Sequence, residues 1–152
     1  MPKVGLISDT HGRFPDAVFQ VFEACDYIIH AGDICSPGVL IDLQSIATTI
    51  AVYGNCDLYD YDGSVKTTAD IVIGGVRVFV SHFPGDAERA AHTGKFGLAV
   101  HGHTHVPRDE VIGACRIVNP GSTTRPRGGS SACVAVVELE DGKVGPVQFI
   151  EV

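Results

Sequence analysis

Two short apolar runs, KVGLIS at 3–8 and DYIIHAGD at 26–33, are each closed by an aspartate, Asp9 just beyond the first and Asp33 at the end of the second. Aliphatic runs of this length suit strands buried on both faces, as parallel strands are. The two aspartates then fall where such a sheet opens into loops, the edge at which open α/β folds bind ligands. Between the runs, Pro15 suits the first position of a helix, and Phe14, Val18, Val21 and Cys25 recur at helical spacing on one face. SPGVLIDLQSIA at 36–47 offers Ser36 as N-cap and Pro37 as first helical residue, and TTIAVYGN at 48–55 reads as the next strand. The first third therefore predicts βαβαβ, a parallel sheet with crossover helices.

From residue 69 the pattern changes. ADIVIGGVRVFVSHF at 69–83 is two apolar runs about Gly74 and Gly75, which predicts a hairpin and the start of antiparallel pairing. DAERAAHTG at 86–94 reads as a short helix closed by Gly94, and FGLAVHGH at 96–103 as another buried strand. Two further hairpins are expected, turning at Gly113-Ala114 and at Asp141-Gly142. PGSTTRPRGGS at 120–130 reads as a loop. The whole predicts one mixed α/β domain over residues 1–152, with two sheets packed face to face and helices outside.

Composition narrows the function classes. The chain is 45% apolar and 19% charged, as a globular domain is. A net charge of −7 opposes extended nucleic-acid binding, which rests on basic residues neutralising phosphates, but leaves room for a small phosphate ester if bound cations reverse the local field. Five cysteines without a C-x-x-C pair indicate neither a disulfide framework nor a zinc knuckle. No leader or membrane-length apolar run is read, so a soluble, cytoplasmic protein is expected, with homo-oligomer formation left open.

Seven oxygen or nitrogen ligands stand at strand ends: Asp9 and His11 in SDTH, Asp33 in HAGD, Asn55 in YGNCD, His82 in SHF, and His103 and His105 in GHTH. A single aspartate after a strand is most often a turn or helix cap, but seven such groups at strand ends suit two cations. A shared carboxylate can bridge cations roughly 3.5 to 4 Å apart, and Asp33 is the natural bridge. Asp9, His11 and His105 then complete one site while Asn55, His82 and His103 complete the other. Mixed carboxylate and imidazole sets suit several divalent metals rather than a structural zinc site.

The ordered motifs Asp9-x-His11, Gly32-Asp33, Gly54-Asn55-Cys56-Asp57, His82, Gly102-His103-Thr104-His105 and Asn119-Pro120-Gly121-Ser122 resemble those of the calcineurin-like metallophosphoesterases, and are most similar to the small YfcE-type phosphodiesterase branch. The resemblance runs over nearly the whole chain. It implies a four-layer αββα sandwich of two mixed sheets flanked by helices. It implies two divalent metals per chain, manganese first, with nickel, iron, zinc, cobalt or magnesium as alternatives. It also implies phosphodiester hydrolysis of a small substrate by a metal-bridging hydroxide, with Asp33, Asn55 and His103 as the catalytic group. Cys56, Asp57, Asn119, Ser122 and Arg127 are candidate substrate-facing or supporting residues, each with an ordinary loop role as its alternative. A non-catalytic interaction scaffold on the same fold, like the retromer subunit, and a nuclease are the competing functions.

Two positions depart from the superfamily pattern. Cys56 stands where a histidine is usual, and a thiol with a reference pKa of about 8.5 is a poor general acid near neutrality, so either esters with good leaving groups or another proton donor is expected. A small buried space-filling role is the alternative. SHFPG stands where the family commonly shows a glycine-histidine pair, and His82, in the aligned place after an apolar strand, is kept as a ligand. His30 reads as a core histidine and His92 as a solvated one. In an extended VHGHTH, His101, His103 and His105 would share a face, but His101 would lie about 13 Å behind His105, so it is expected to sit outside the ligand set.

Overall fold

The computed structural model describes residues 2–152. In the first sheet β1 (Lys3–Ile7), β2 (Tyr27–His30) and β3 (Thr48–Ala51) pair in parallel, with α1 (Ala17–Phe22) and α2 (Pro37–Ile46) as crossovers. The helices start where their sequences dictate, with one difference. Ser36 caps α2 as expected, its hydroxyl accepting the Gly38 N–H at 3.1 Å. Pro15, however, lies ahead of α1, where its carbonyl accepts the Val18 N–H at 3.0 Å, and the helix proper runs for only 6 residues. Its buried side chains are Val18 and Phe22, with Phe14, Val21 and Cys25 packing beside them.

The hairpin turns fall at Gly74-Gly75, Gly113-Ala114 and Asp141-Gly142, fixed by the pairs Ile73 with Val76, Ile112 with Cys115 and Glu140 with Lys143. They join β4 (Thr68–Ile73) to β5 (Val76–Ser81), β7 (Arg108–Ile112) to β8 (Cys115–Asn119), and β9 (Cys133–Glu140) to β10 (Lys143–Val144). The second half is nonetheless not a plain series of hairpins. The strand β6 (Leu98–Val100) lies parallel to both β5 and β8, with α3 (Pro84–His92) as the β5–β6 crossover, giving the order β4-β5-β6-β8-β7. β9 returns to the first sheet, antiparallel to β1, and carries β11 (Gln148–Glu151) on its other side.

Alternation along the strands sorts the apolar residues into layers. Val4, Leu6, Ile29 and Ala31 face Val78, Val80, Leu98 and Val118 in the core between the sheets. Ile7, Ile28 and Val134 on the outer face of the first sheet meet Phe22, Leu40 and Leu43 of α1 and α2. Ala99 and Ile117 on the outer face of the second meet Ala87 and Ala91 of α3. The result is the expected αββα sandwich. Two parallel triplets, β1-β2-β3 and β5-β6-β8, thus send their carboxyl ends toward one rim. No helix among the described residues is long and apolar enough to cross a membrane.

Candidate metal centre

The residues nominated at strand ends meet at that rim. Asp9, His11, Asp33 and His105 each offer a ligand atom, all within 4.8 Å of one another. His11 Nε2 stands 3.3 Å from His105 Nε2, while His105 Nε2 is 3.2 Å from Asp9 Oδ1. Beside this group, His82 Nε2 lies 3.0 Å from Asn55 Oδ1 and 3.3 Å from His103 Nδ1. The two clusters share Asp33, whose Oδ2 is 3.6 Å from His11 Nε2 and 3.5 Å from His82 Nε2.

Hydrogen bonds behind the rings decide which nitrogens face the cluster as acceptors. His82 Nδ1–H donates to the Ala31 carbonyl at 2.8 Å, and His105 Nδ1–H donates to the Arg125 carbonyl at 2.7 Å. In the neutral rings both Nε2 atoms therefore present lone pairs inward, as metal-ligating histidines held by a backbone carbonyl do. Asp9 Oδ1 is buried without any hydrogen-bond donor and faces the Nε2 atoms of His82, His105 and His11. Lone pairs gathered at these distances repel one another, so the donor set fits divalent cations. Burial pushes the Asp9 carboxyl up, against its Ser8 hydroxyl bond and the neighbouring histidines, and burial also pulls His11 down.

The loops are strained and braced to hold this set. Asp9, His11, Asp33, His103 and His105 all have positive φ, between 49° and 76°, a left-handed conformation that costs non-glycine residues energy and clusters at functional sites. Gly54 and Gly102 lie so close to the site that a Cβ would run into the Asp33 carboxylate and the Ser8 hydroxyl respectively. Asp57 is the central brace of the first sheet's loops. Its Oδ2 accepts the N–H groups of Asp33 at 2.9 Å and Gly54 at 2.7 Å, and its Oδ1 accepts the Cys35 N–H and the Tyr61 hydroxyl, both at 2.8 Å. Asn119 donates to Thr104 Oγ1 at 2.9 Å and to the Gly102 carbonyl at 3.3 Å, while Ser122 donates to the Asp9 carbonyl at 2.7 Å. Both therefore tie the last loop to the ligand loops.

Two readings change here. The VHGHTH segment is not extended, because β6 ends at Val100 and the following residues form a loop with His103 at φ 76° and His105 at φ 61°. His101 still lies outside the cluster: it is buried, with Nδ1 3.0 Å from the Gly102 carbonyl and Nε2 3.2 Å from Arg108. Cys56 is exposed, not a buried filler; its N–H donates to Asp33 Oδ1 at 2.8 Å, and its Sγ accepts the Asn55 amide at 3.4 Å, turning Asn55 Oδ1 inward. Arg127 keeps an exposed side chain, compatible with both of its readings, while its backbone N–H donates to the His105 carbonyl at 3.1 Å. Ser8, Tyr61 and the Ala31 and Arg125 carbonyls were not among the residues nominated from the sequence. Only Ser8, inside SDTH, carried a motif signal.

The assignments separate experimentally. His101→Ala should leave metal content unchanged, whereas His103→Ala should lower it. Equal losses in elemental analysis of the two purified variants would overturn the distinction.

His30, wholly buried, is satisfied in one tautomer. Its Nδ1 accepts the Gly32 N–H at 3.1 Å, so Nε2 carries the proton and donates to Thr10 Oγ1 at 3.0 Å. Burial holds its pKa down at about 4 against 6.5 for a free imidazole, and a proton on Nδ1 would also displace the Gly32 bond. Between these values the unfolded chain binds more protons, so stability is complete above pH 6.5 and falls as pH drops toward 4, by on the order of 3 kcal/mol. Urea unfolding of wild type and His30→Gln in chelator, across this window, should show a steeper loss with acid in the wild type; parallel profiles would contradict it.

The model of the calcineurin-like phosphoesterase superfamily domain matches residues 2–142. The chain belongs to that superfamily. Calcineurin-like phosphoesterases use divalent metals, and the Asp9, His11, Asp33 and His105 group is a candidate site for one. A probable metallophosphoesterase of Methanothermobacter thermautotrophicus is 35% identical over 136 residues, 82% of this chain and 78% of that protein. Among solved structures, the phosphoesterase YfcE of E. coli superposes with a TM-score of 0.71 at 22% identity, over 96% of this chain and 98% of its own. Vps29 of Entamoeba histolytica, complexed with zinc, gives 0.79 at 18% identity, over 99% and 98%. At such identities these two likenesses speak to the fold alone.

Proposed function

We propose that the chain is a phosphodiesterase acting on small phosphate esters with two divalent cations, Asp9, His11 and His105 holding one, Asn55, His82 and His103 the other, and Asp33 shared. The observation that carries this reading is the single Asp33 oxygen facing both clusters, 3.6 Å from His11 and 3.5 Å from His82. Cations held there lower the pKa of bound water and neutralise charge on phosphoryl oxygens.

The protein's own groups do the rest. The carbonyls of Ala31 and Arg125 hold His82 and His105 in the ligating tautomer, and Cys56 orients the Asn55 amide. Asp9, Asp33, His82 and His105 are buried while Asn55 and His103 are exposed, so a substrate phosphate approaches over the second cluster. Burial and the nearby Asp33 push the Cys56 thiol up, which makes it a still weaker acid. Cys56→Ala should therefore retain turnover of aryl esters to within about tenfold, less than the loss of a general acid brings; a greater loss with metal content intact would contradict this.

Hydrolysis of 4-nitrophenyl phosphate and bis(4-nitrophenyl) phosphate across manganese, nickel, iron, zinc, cobalt and magnesium tests the activity. Faster cleavage of the diester, abolished by chelation, is expected. No turnover with any metal would favour the interaction scaffold, a reading that the fold-level likeness to Vps29 neither supports nor opposes.

A further inference from the structure

Phe83 is a large apolar side chain placed at the open side of the metal centre. Its ring centroid is 5.0 Å from that of His103 and 5.1 Å from that of His82, the latter met edge-on at 82°. These are two of the imidazoles of the second cluster, the one whose Asn55 and His103 face solvent. Phe83 remains 42% exposed, so the two histidines cover only part of the ring.

The backbone beneath it is held. Pro84 follows, which keeps Phe83 extended at φ −88° and ψ 134°, just ahead of α3. The Phe83 carbonyl accepts the Ser81 hydroxyl at 3.0 Å and the Ala87 N–H at 3.4 Å. A ring carried on a braced backbone at a helix start, beside the rim where the phosphate would sit, offers a planar apolar surface to a bound ester.

We propose that Phe83 determines specificity, stacking against a planar arm of the phosphate ester, aryl or heteroaromatic, and favouring it over a small alkyl arm. This rests on the phosphoesterase reading for the identity of the substrate, but not for its test. Phenylphosphonate and methylphosphonate share the head group and differ only in the arm, and neither is hydrolysed. Isothermal titration of the manganese-loaded protein should show wild type binding phenylphosphonate about tenfold more tightly than methylphosphonate. Phe83→Leu should bring the ratio close to one, and Phe83→Trp should restore it, with metal content and the far-ultraviolet circular dichroism of all three alike. The same ratio in wild type and Phe83→Leu, or no phenyl preference in wild type, would overturn the proposal.

Turnover of bis(4-nitrophenyl) phosphate separates the two readings. A protein that prefers phenylphosphonate through Phe83 yet cleaves no ester would refute the hydrolase assignment alone. One that cleaves the ester with no dependence of binding on Phe83 would refute the stacking role alone.

Discussion

Asp33→Asn is expected to lower hydrolysis of bis(4-nitrophenyl) phosphate by at least about 10³-fold, several kcal/mol of transition-state stabilisation being lost with the metal pair. The substitution is isosteric. It can keep the Oδ1 acceptor for the Cys56 N–H at 2.8 Å, and the Asp33 main-chain N–H can still reach Asp57 at 2.9 Å. What it replaces is Oδ2, which lies nearer to both His11 and His82 (3.6 and 3.5 Å) than Asp9 Oδ1 does (3.9 Å to each), by an NH₂ group that donates and does not ligate. Metal content should fall with activity, because a cluster of inward lone pairs has lost its shared anion. Elemental analysis and turnover on one preparation check this, and wild-type activity with wild-type metal content would contradict the shared role.

Asp57→Ala should have the largest effect on the fold of the site. One carboxylate accepts the N–H groups of Asp33, Gly54 and Cys35 and the Tyr61 hydroxyl. Deleting it strands three backbone donors and a phenol in a half-buried setting. At about 1 to 3 kcal/mol for each stranded buried group, and less where water enters, a loss on the order of 3 kcal/mol or more is expected by urea unfolding. Metal affinity should weaken too, although Asp57 touches no other group of the cluster than Asp33. Asp57→Asn retains one oxygen and should fall between the two. An Asp57→Ala protein as stable as wild type, with unaltered metal binding, would show that the loops hold themselves.

These two residues mark how far the sequence was legible. Asp33 stood out because an apolar run ended in a carboxylate, a pattern that strand chemistry alone makes readable, and the same logic nominated Asp9, Asn55, His82, His103 and His105. Asp57 followed Asn55 in one motif, but its four hydrogen bonds span residues 33 to 61 and depend on loops meeting from two strands. The parallel placement of β6 between β5 and β8 was hidden because three apolar residues, Leu98–Val100, look alike in either pairing. The reversals in HGHTH were hidden for a related reason: positive φ at His103 and His105 is not preferred by histidine, and the partners of this segment, Asn119 on Thr104 and the Arg125 carbonyl on the His105 ring, come from a loop far along the chain. Phe83 read as the end of a strand. Only the parallel pairing of β5 with β6, which brings the segments after both strands to one rim, sets its ring against His103.

The central claim is that Asp33 divides one cluster into two cation sites. Anomalous diffraction from a manganese-soaked crystal measures this directly. The account predicts two manganese peaks per chain, one among Asp9, His11 and His105 and one among Asn55, His82 and His103, with Asp33 between them. A single peak among the first group at saturating manganese, with the second group bound only to one another, would contradict it.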